Sequence, residues 1–167
     1  MSQKKKIIAI DPDCDKSGVA SIEQGSSISI QSLRFPELIG MIGEAHLTHD
    51  ISVLVEAGWM NQSNWHISRS SSNRKAAAMG NHVGRNHEVG RKIIEMCEWM
   101  GVDVKPIKPL MKIWKGRDRK ITHDEISRMI RDFPKRSNQE ERDAALILFV
   151  NNEKLFKRIT NEKKEVQ

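Results

Sequence analysis

Apolar residues fall along this chain in two rhythms. Ile7 to Ile10 is a short unbroken run that closes on acids, and Ile51 to Glu56 (ISVLVE) is a second. Both read as strands covered on both faces. Gly18 to Ile22 and Ser27 to Leu33 read as two more strands, with a hairpin turn at Gln24-Gly25 between them. Pro36 opens a helix that carries Leu38, Met41, Ile42 and Ala45 on one side. A second helix is predicted over Glu88 to Met100, where Val89, Ile93, Met96, Cys97 and Met100 share a face and Gly101 is the stop. Val102 to Ile107 is a fifth strand, closed by Pro106 and Pro109. Thr122 and Glu125 form a capping box for a helix with Ile126, Met129, Ile130 and Phe133 inward, ended by Pro134. Ser137 and Glu140 repeat the pattern for a last helix through Val150. The polar string HISRSSSNRKAAAMGNHVGRNHEVG reads as a long loop, and Met79, Met96 and Met100 as core. The order of strands and helices predicts an α/β domain around a mixed sheet.

A length of 167 residues fits one domain, placed at 1–152, with a charged extension over 153–167. Mean hydropathy is -0.56, and no apolar run approaches the ~18 residues of a spanning helix. The apolar run near the N-terminus is too short for a secretion signal. Cys14 and Cys97 make no CxxC pair, which argues for a reducing, cytoplasmic setting over a disulfide scaffold.

Charge sharpens the picture. The chain carries a net +6, unevenly spread. Lys105 to Arg136 holds eleven Lys/Arg against four acids, and Arg69 to Lys92 holds six against one. The remainder is therefore net acidic. Two basic blocks in such a chain point to a polyanion path rather than to general solubility. Arg74, Lys75 and Arg85 represent the first block. Lys112, Lys115, Arg117, Arg119 and Lys120 represent the second, five cations that the single acid among them, Asp118, cannot satisfy.

Three acids stand where an acid needs a reason. Asp11 follows the first strand, Glu56 ends the fourth, and Asp143 precedes the apolar run AALILFV. Such placements carry a desolvation cost unless something offsets it. Hard divalent cations do so, and Mg²⁺ is held by a few carboxylates together with substrate phosphate. Each acid also has a plain reading. Asp11 before Pro12 starts a turn, Glu56 begins a loop, and Asp143 favours a helix N-terminus. Glu140 is either the partner of a Ser137 cap or a fourth carboxylate of the site. His82 and His87, five residues apart, read as loop or DNA-facing residues, and Cys14, set among acids, as structural.

IIAIDPDCDKSGVA, LVEAGW and SNQEERDAALIL resemble the RuvC family of crossover-junction endodeoxyribonucleases. The resemblance runs from Ile7 to Val150. It aligns Asp11 and Gly18 with that family's first motif, Glu56 with its strand-terminal Glu, and Asp143 with its helical Asp. Glu140 falls on the metal-site partner three residues earlier, where His or Asp is common. Gly80 and Gly84 resemble the Gly-x-x-x-Gly leading into its long helix, and Lys112 and Lys120 its active-site-flanking lysines. Asp13 departs from the pattern, replacing a Gly after Asp-Pro.

The resemblance implies a ribonuclease H-like fold with a mixed five-stranded sheet flanked by helices. It also implies a Mg²⁺-dependent endonuclease, with Mn²⁺ as substitute, that cleaves four-way or otherwise branched DNA as a homodimer. Asp11, Glu56, Glu140 and Asp143 would be the metal ligands and Lys120 a catalytic cation. Trp59, three residues after Glu56, matches the family's aromatic wedge at the junction, with Trp65 as a second candidate. Two other readings compete. The first motif also resembles the phosphate loop of sugar kinases and actin, but the chain lacks their second domain and further glycine-rich motifs. A non-catalytic nucleic-acid binder on the same fold is the other, and acids at all three positions argue against it.

Overall fold

In the computed structural model, which describes residues 3–61, 73–153 and 156, five strands form one sheet in the order β3-β2-β1-β4-β5. β1 (Lys5–Asp11), β2 (Ser17–Glu23) and β3 (Ser29–Leu33) form an antiparallel meander. The turn between β2 and β3 pivots at Gly25, whose φ of 83° suits glycine. α1 (Phe35–Thr48) then crosses over, so β4 (Asp50–Glu56) pairs parallel to β1 on the other side. α2 (Asn73–Trp99) crosses again to place β5 (Asp103–Ile107) parallel to β4. α3 (His123–Met129) and α4 (Gln139–Asn151) complete the described elements. This mixed sheet flanked by helices is the expected fold class.

Strand parity sorts the core into two layers. Ile8, Ile10, Val19, Val53 and Val55 pack with Leu38 and Ile42 of α1 and Ile93 and Cys97 of α2. Ala9, Ala20, Ile22 and Leu54 face the other way, onto Ala144, Ala145, Ile147 and Leu148 of α4 and Ile126 of α3. Small residues on β1 and β2 let α4 settle close to the sheet. Phe156, in the predicted extension, packs on Phe149 at 5.2 Å between ring centroids; the rest of that extension, beyond residue 153, is not among the described residues.

Four local expectations need correction. The helix over Glu88 to Met100 begins at Asn73 instead. Lys75 to Met79 are strong helix formers, and their propensity outweighs the polarity that reads as a loop. Gly80 and Gly84 are therefore inside the helix, not before it. Met79, expected in the core, is exposed, as are most of its neighbours in the first turns of α2. The third helix is shorter than its periodicity suggests. It ends at Met129, and Asp132 turns left-handed at φ 57°, yet Ile130 and Phe133 still reach the core. The last helix is capped by Asn138, not Ser137. Asn138 Oδ1 accepts from the Glu141 amide at 2.9 Å, and the Glu141 carboxylate accepts from the Asn138 amide at 3.0 Å.

Candidate active site

Parity and register assemble the acids. On β1, Asp11 continues the Ala9 row, and on β4, Glu56 continues the Leu54 row, so both face α4. The parallel register pairs Ile10 with Val55. Asp11 and Glu56 therefore leave adjacent strand ends at the same level. Asp143 arrives from the first turns of α4. The three line one cavity of about 120 Å³ together with Lys112, Trp114 and Lys120.

Glu140 does not line this cavity, but it lies near enough for its charge to act on Asp11 and Lys120. With Glu141 closing the capping box, the cap reading of Glu140 falls away. Its position is set by Gly18, which pairs with Asp11 across the antiparallel ladder. A Cβ built on Gly18 would overlap the Glu140 carbonyl. Glycine there lets the α4 backbone pass directly over β2 beside Asp11.

The electrostatics record the crowding. Burial first, then the charges of Glu56 and Asp143, raises Asp11 well above the usual carboxylate range, with Lys120 opposing. Glu140 adds to the rise. Burial and Asp143 likewise raise Glu56, against Lys120 and Lys112. Lys120 Nζ donates to Asp143 Oδ2 at 3.0 Å. Burial disfavours its charge, but that bond and the charges of Asp143, Asp11 and Glu140 outweigh it, so its pKa is raised. Three carboxylates thus share the cavity with one ammonium, and the charge of Glu140 acts on it from outside the lining.

This donor set fits a hard divalent cation: all oxygen, clustered, partly dehydrated and short of positive charge. Among the described residues, no three of these acids bring oxygens mutually within 4.8 Å.

Gln139 stands out only in the structure. Its Nε2 donates to Asp143 Oδ1 at 2.8 Å and to the Ile121 carbonyl at 3.2 Å. Its Oε1 accepts from Arg142 at 2.9 Å, and Arg142 in turn donates to the Ser137 carbonyl at 2.8 Å. Asp143 is therefore oriented through both oxygens, by Lys120 and by Gln139. In the sequence, nothing but the i,i+4 spacing of Gln139 and Asp143 hints at this.

The predicted basic residues divide. Lys112, Arg119 and Lys120 line the cavity. Lys115 and Arg117 do not, although they share the same loop. The Lys115 amide is bonded to the Glu125 carboxylate, and Arg117 is almost fully exposed beside Asp118. The loop is tightly wound: Asp118 and Arg119 hold φ of 53° and 59°, and Gly116 and Lys120 are bridged backbone to backbone at 2.9 Å. Arg74, Lys75 and Arg85 lie on the N-terminal half of α2 and do not line the cavity.

Trp59, in a short 3-10 turn after β4, is half-buried against α2. Arg91 lies over its ring at 4.9 Å, His87 meets its edge, and Gly90 leaves room for it. Trp65 lies outside the described residues. His82 and His87, read from the sequence as loop or DNA-facing residues, are on α2, not in a loop. Burial and Arg91 lower the His87 pKa, as its packing against Gly58 and Trp59 requires.

No protein-family model matches the sequence, and no curated protein matches it. Solved structures do. Thermus thermophilus RuvC in complex with a Holliday junction substrate superposes with a TM-score of 0.50 at 12% identity, over 85% of this chain and 89% of that one. A second Thermus thermophilus RuvC structure gives a TM-score of 0.37 at 14% identity, over 87% and 95%. The fold is ribonuclease H-like. Among the described residues, no helix is long and apolar enough to cross a membrane.

Proposed function

We propose that the protein is a divalent-metal-dependent endonuclease acting on branched DNA. The observation that carries this reading is the meeting of Asp11 and Glu56, from neighbouring strand ends, with Asp143 from α4 in one cavity beside Lys120. Buried like charges with raised pKa values are typical of functional sites.

In this reading Asp11, Glu56, Asp143 and Glu140 hold Mg²⁺, or Mn²⁺ in its place. The bound metal would supply an activated water and charge stabilisation for the leaving oxygen. Gln139 and Lys120 fix the Asp143 carboxylate. The Lys120 ammonium also neutralises the acids until phosphate arrives, then offers a hydrogen bond to charge developing on the phosphate. Lys112 and Arg119 extend the positive wall along the DNA. Lys115, Arg117, Arg74, Lys75 and Arg85 make outlying phosphate contacts, which set affinity and its salt dependence. Trp59, three residues beyond Glu56 and covered on one side by Arg91, offers its remaining exposed surface to a base already unpaired.

Branched DNA is the substrate class because the RuvC complex that shares this fold holds a Holliday junction, and the part of the Trp59 ring that its packing on α2 leaves exposed is available to a free base. Two symmetric nicks require two such sites, hence a homodimer. The test is a cleavage panel of duplex, flap, fork, four-way and RNA–DNA substrates with Mg²⁺. Preferred cleavage of the four-way or forked DNA is expected. Equal cleavage of plain duplex would refute the branched-DNA assignment, and no cleavage of any substrate would refute the nuclease.

A further inference from the structure

We infer that the protein carries a second metal site, for a borderline transition ion of the Zn²⁺ class, built by Asp13, Cys14 and His82. It lies on the α2 side of the sheet, whereas Asp11 and Glu56 face α4. Among the described residues, these three are the trio whose ligand atoms all fall within 4.8 Å of one another. Cys14 Sγ and His82 Nδ1 are 3.8 Å apart. With Zn–S near 2.3 Å and Zn–N near 2.0–2.1 Å, a tetrahedral site separates sulfur from nitrogen by about 3.5 Å. The observed spacing is close to that edge and long for a hydrogen bond between the two.

The ligands come from segments 68 residues apart and are fixed independently of any ion. Asn86, one turn beyond His82 on the same face of α2, accepts from the Cys14 amide at 2.9 Å through Oδ1. It donates to Asp13 Oδ2 at 3.1 Å through Nδ2. The Asp15 amide donates to the other Asp13 oxygen at 2.8 Å, and the Asp13 amide donates to Ser17 Oγ at 3.1 Å. Bonds of this kind orient ligands in metal sites. Carboxylate oxygens retain lone pairs for a metal after accepting one bond each. The three donors leave a fourth position to water.

The chemistry of the trio separates it from the all-carboxylate cavity. Thiolate and imidazole favour Zn²⁺-class ions, whereas Mg²⁺ prefers oxygen alone. A coordinating thiol is deprotonated by the bound dication itself. Such an ion would pin the loop after Asp11 to α2 and stiffen the end of β1. Cys97 provides an internal contrast: burial pushes its thiol up to about 11, and among the described residues it sits in the core outside any such cluster.

The test uses the full chain, reduced and stripped of metal, titrated with Co²⁺. A sulfur-to-cobalt charge-transfer band is expected, saturating at one ion per chain, displaced by Zn²⁺ and untouched by excess Mg²⁺. Cys14→Ser should abolish the band, and His82→Ala should weaken Zn²⁺ binding at least ~tenfold. Both variants are checked for unchanged metal-free melting, which the exposed position of His82 permits. Asp11→Asn should leave the band intact, so this result stands or falls apart from the nuclease reading. Absence of the band in folded wild type would overturn the site. So would a band that survives Cys14→Ser or is lost in Asp11→Asn.

Discussion

Gly18 and Glu140 meet where no side chain fits between them: the Glu140 carbonyl occupies the space a Gly18 Cβ would take. The strand position paired with Asp11 is thereby also the seat of the helix that carries Glu140 and Asp143. Close backbone packing, not turn geometry, explains this glycine.

Gly18→Ala should therefore lift α4 off the sheet. Overpacking typically costs about 1–3 kcal/mol, or roughly 2–12 °C in Tm for a chain of this size. Cleavage should fall further than stability does, because Glu140 and Asp143 move with the helix. Gly84→Ala is the control. Its Cβ meets open space, so the usual helix gain of ~0.5–1 kcal/mol applies. Thermal melts of the two variants should move in opposite directions.

Protonation supplies a second prediction. Asp11 and Glu56 have folded pKa values raised by burial and by neighbouring carboxylates. The folded state then binds more protons than the unfolded one between the two pKa values. Metal-free stability is fully present below the unfolded carboxylate pKa and is lost as pH rises through the raised folded values. Asp11→Asn removes the larger part, so it should raise the metal-free Tm at neutral pH and flatten its pH dependence. Added Mg²⁺ should stabilise wild type at neutral pH and do little for the variant. A higher metal-free Tm for wild type than for Asp11→Asn at pH ~7 would contradict the account.

Lys120 and Lys115 belong to one loop but not to one environment. Lys120→Ala removes the Asp143 partner and a cavity cation. It should cut the cleavage rate by about 10²–10³, the cost of losing one positioned donor to transition-state charge. Lys115→Ala should leave the rate at saturating DNA unchanged and reduce only the salt slope of binding, by about 0.9 for one phosphate contact on duplex. Single-turnover rates and salt titrations separate the two.

Gln139→Leu keeps the size of the side chain and removes its bonds to Asp143, Ile121 and Arg142. Loss of such an orienting partner costs about 10–100-fold in metal affinity. The Mg²⁺ concentration for half-maximal cleavage should rise accordingly, with DNA affinity unchanged. An unaltered metal dependence would show that Lys120 alone orients Asp143.

Much of this architecture is legible in the sequence because burial and charge leave local marks. ISVLVE and IIAID show strands buried on both faces that end in acids, and those acids do meet. The start of α4 is ambiguous in the sequence by one residue, because Ser137 and Asn138 are both good caps with an acid three positions on. Tertiary context selects Asn138, and that choice leaves Glu140 without the capping role. The N-terminal half of α2 reads as a loop because a helix exposed on most sides has no apolar face to reveal it. The trio of Asp13, Cys14 and His82 is hidden for a related reason: ligands 68 residues apart carry no spacing signature until α2 is seen to run past the β1–β2 loop.

The most direct test of the central claim compares wild type and Asp11→Asn on a four-way DNA junction, with binding and cleavage measured on the same samples in Mg²⁺ and in chelator. The account predicts cleavage by wild type in Mg²⁺ only, no cleavage by Asp11→Asn in either condition, and junction binding by both. Cleavage by Asp11→Asn at the wild-type rate, or by wild type in chelator, would contradict it.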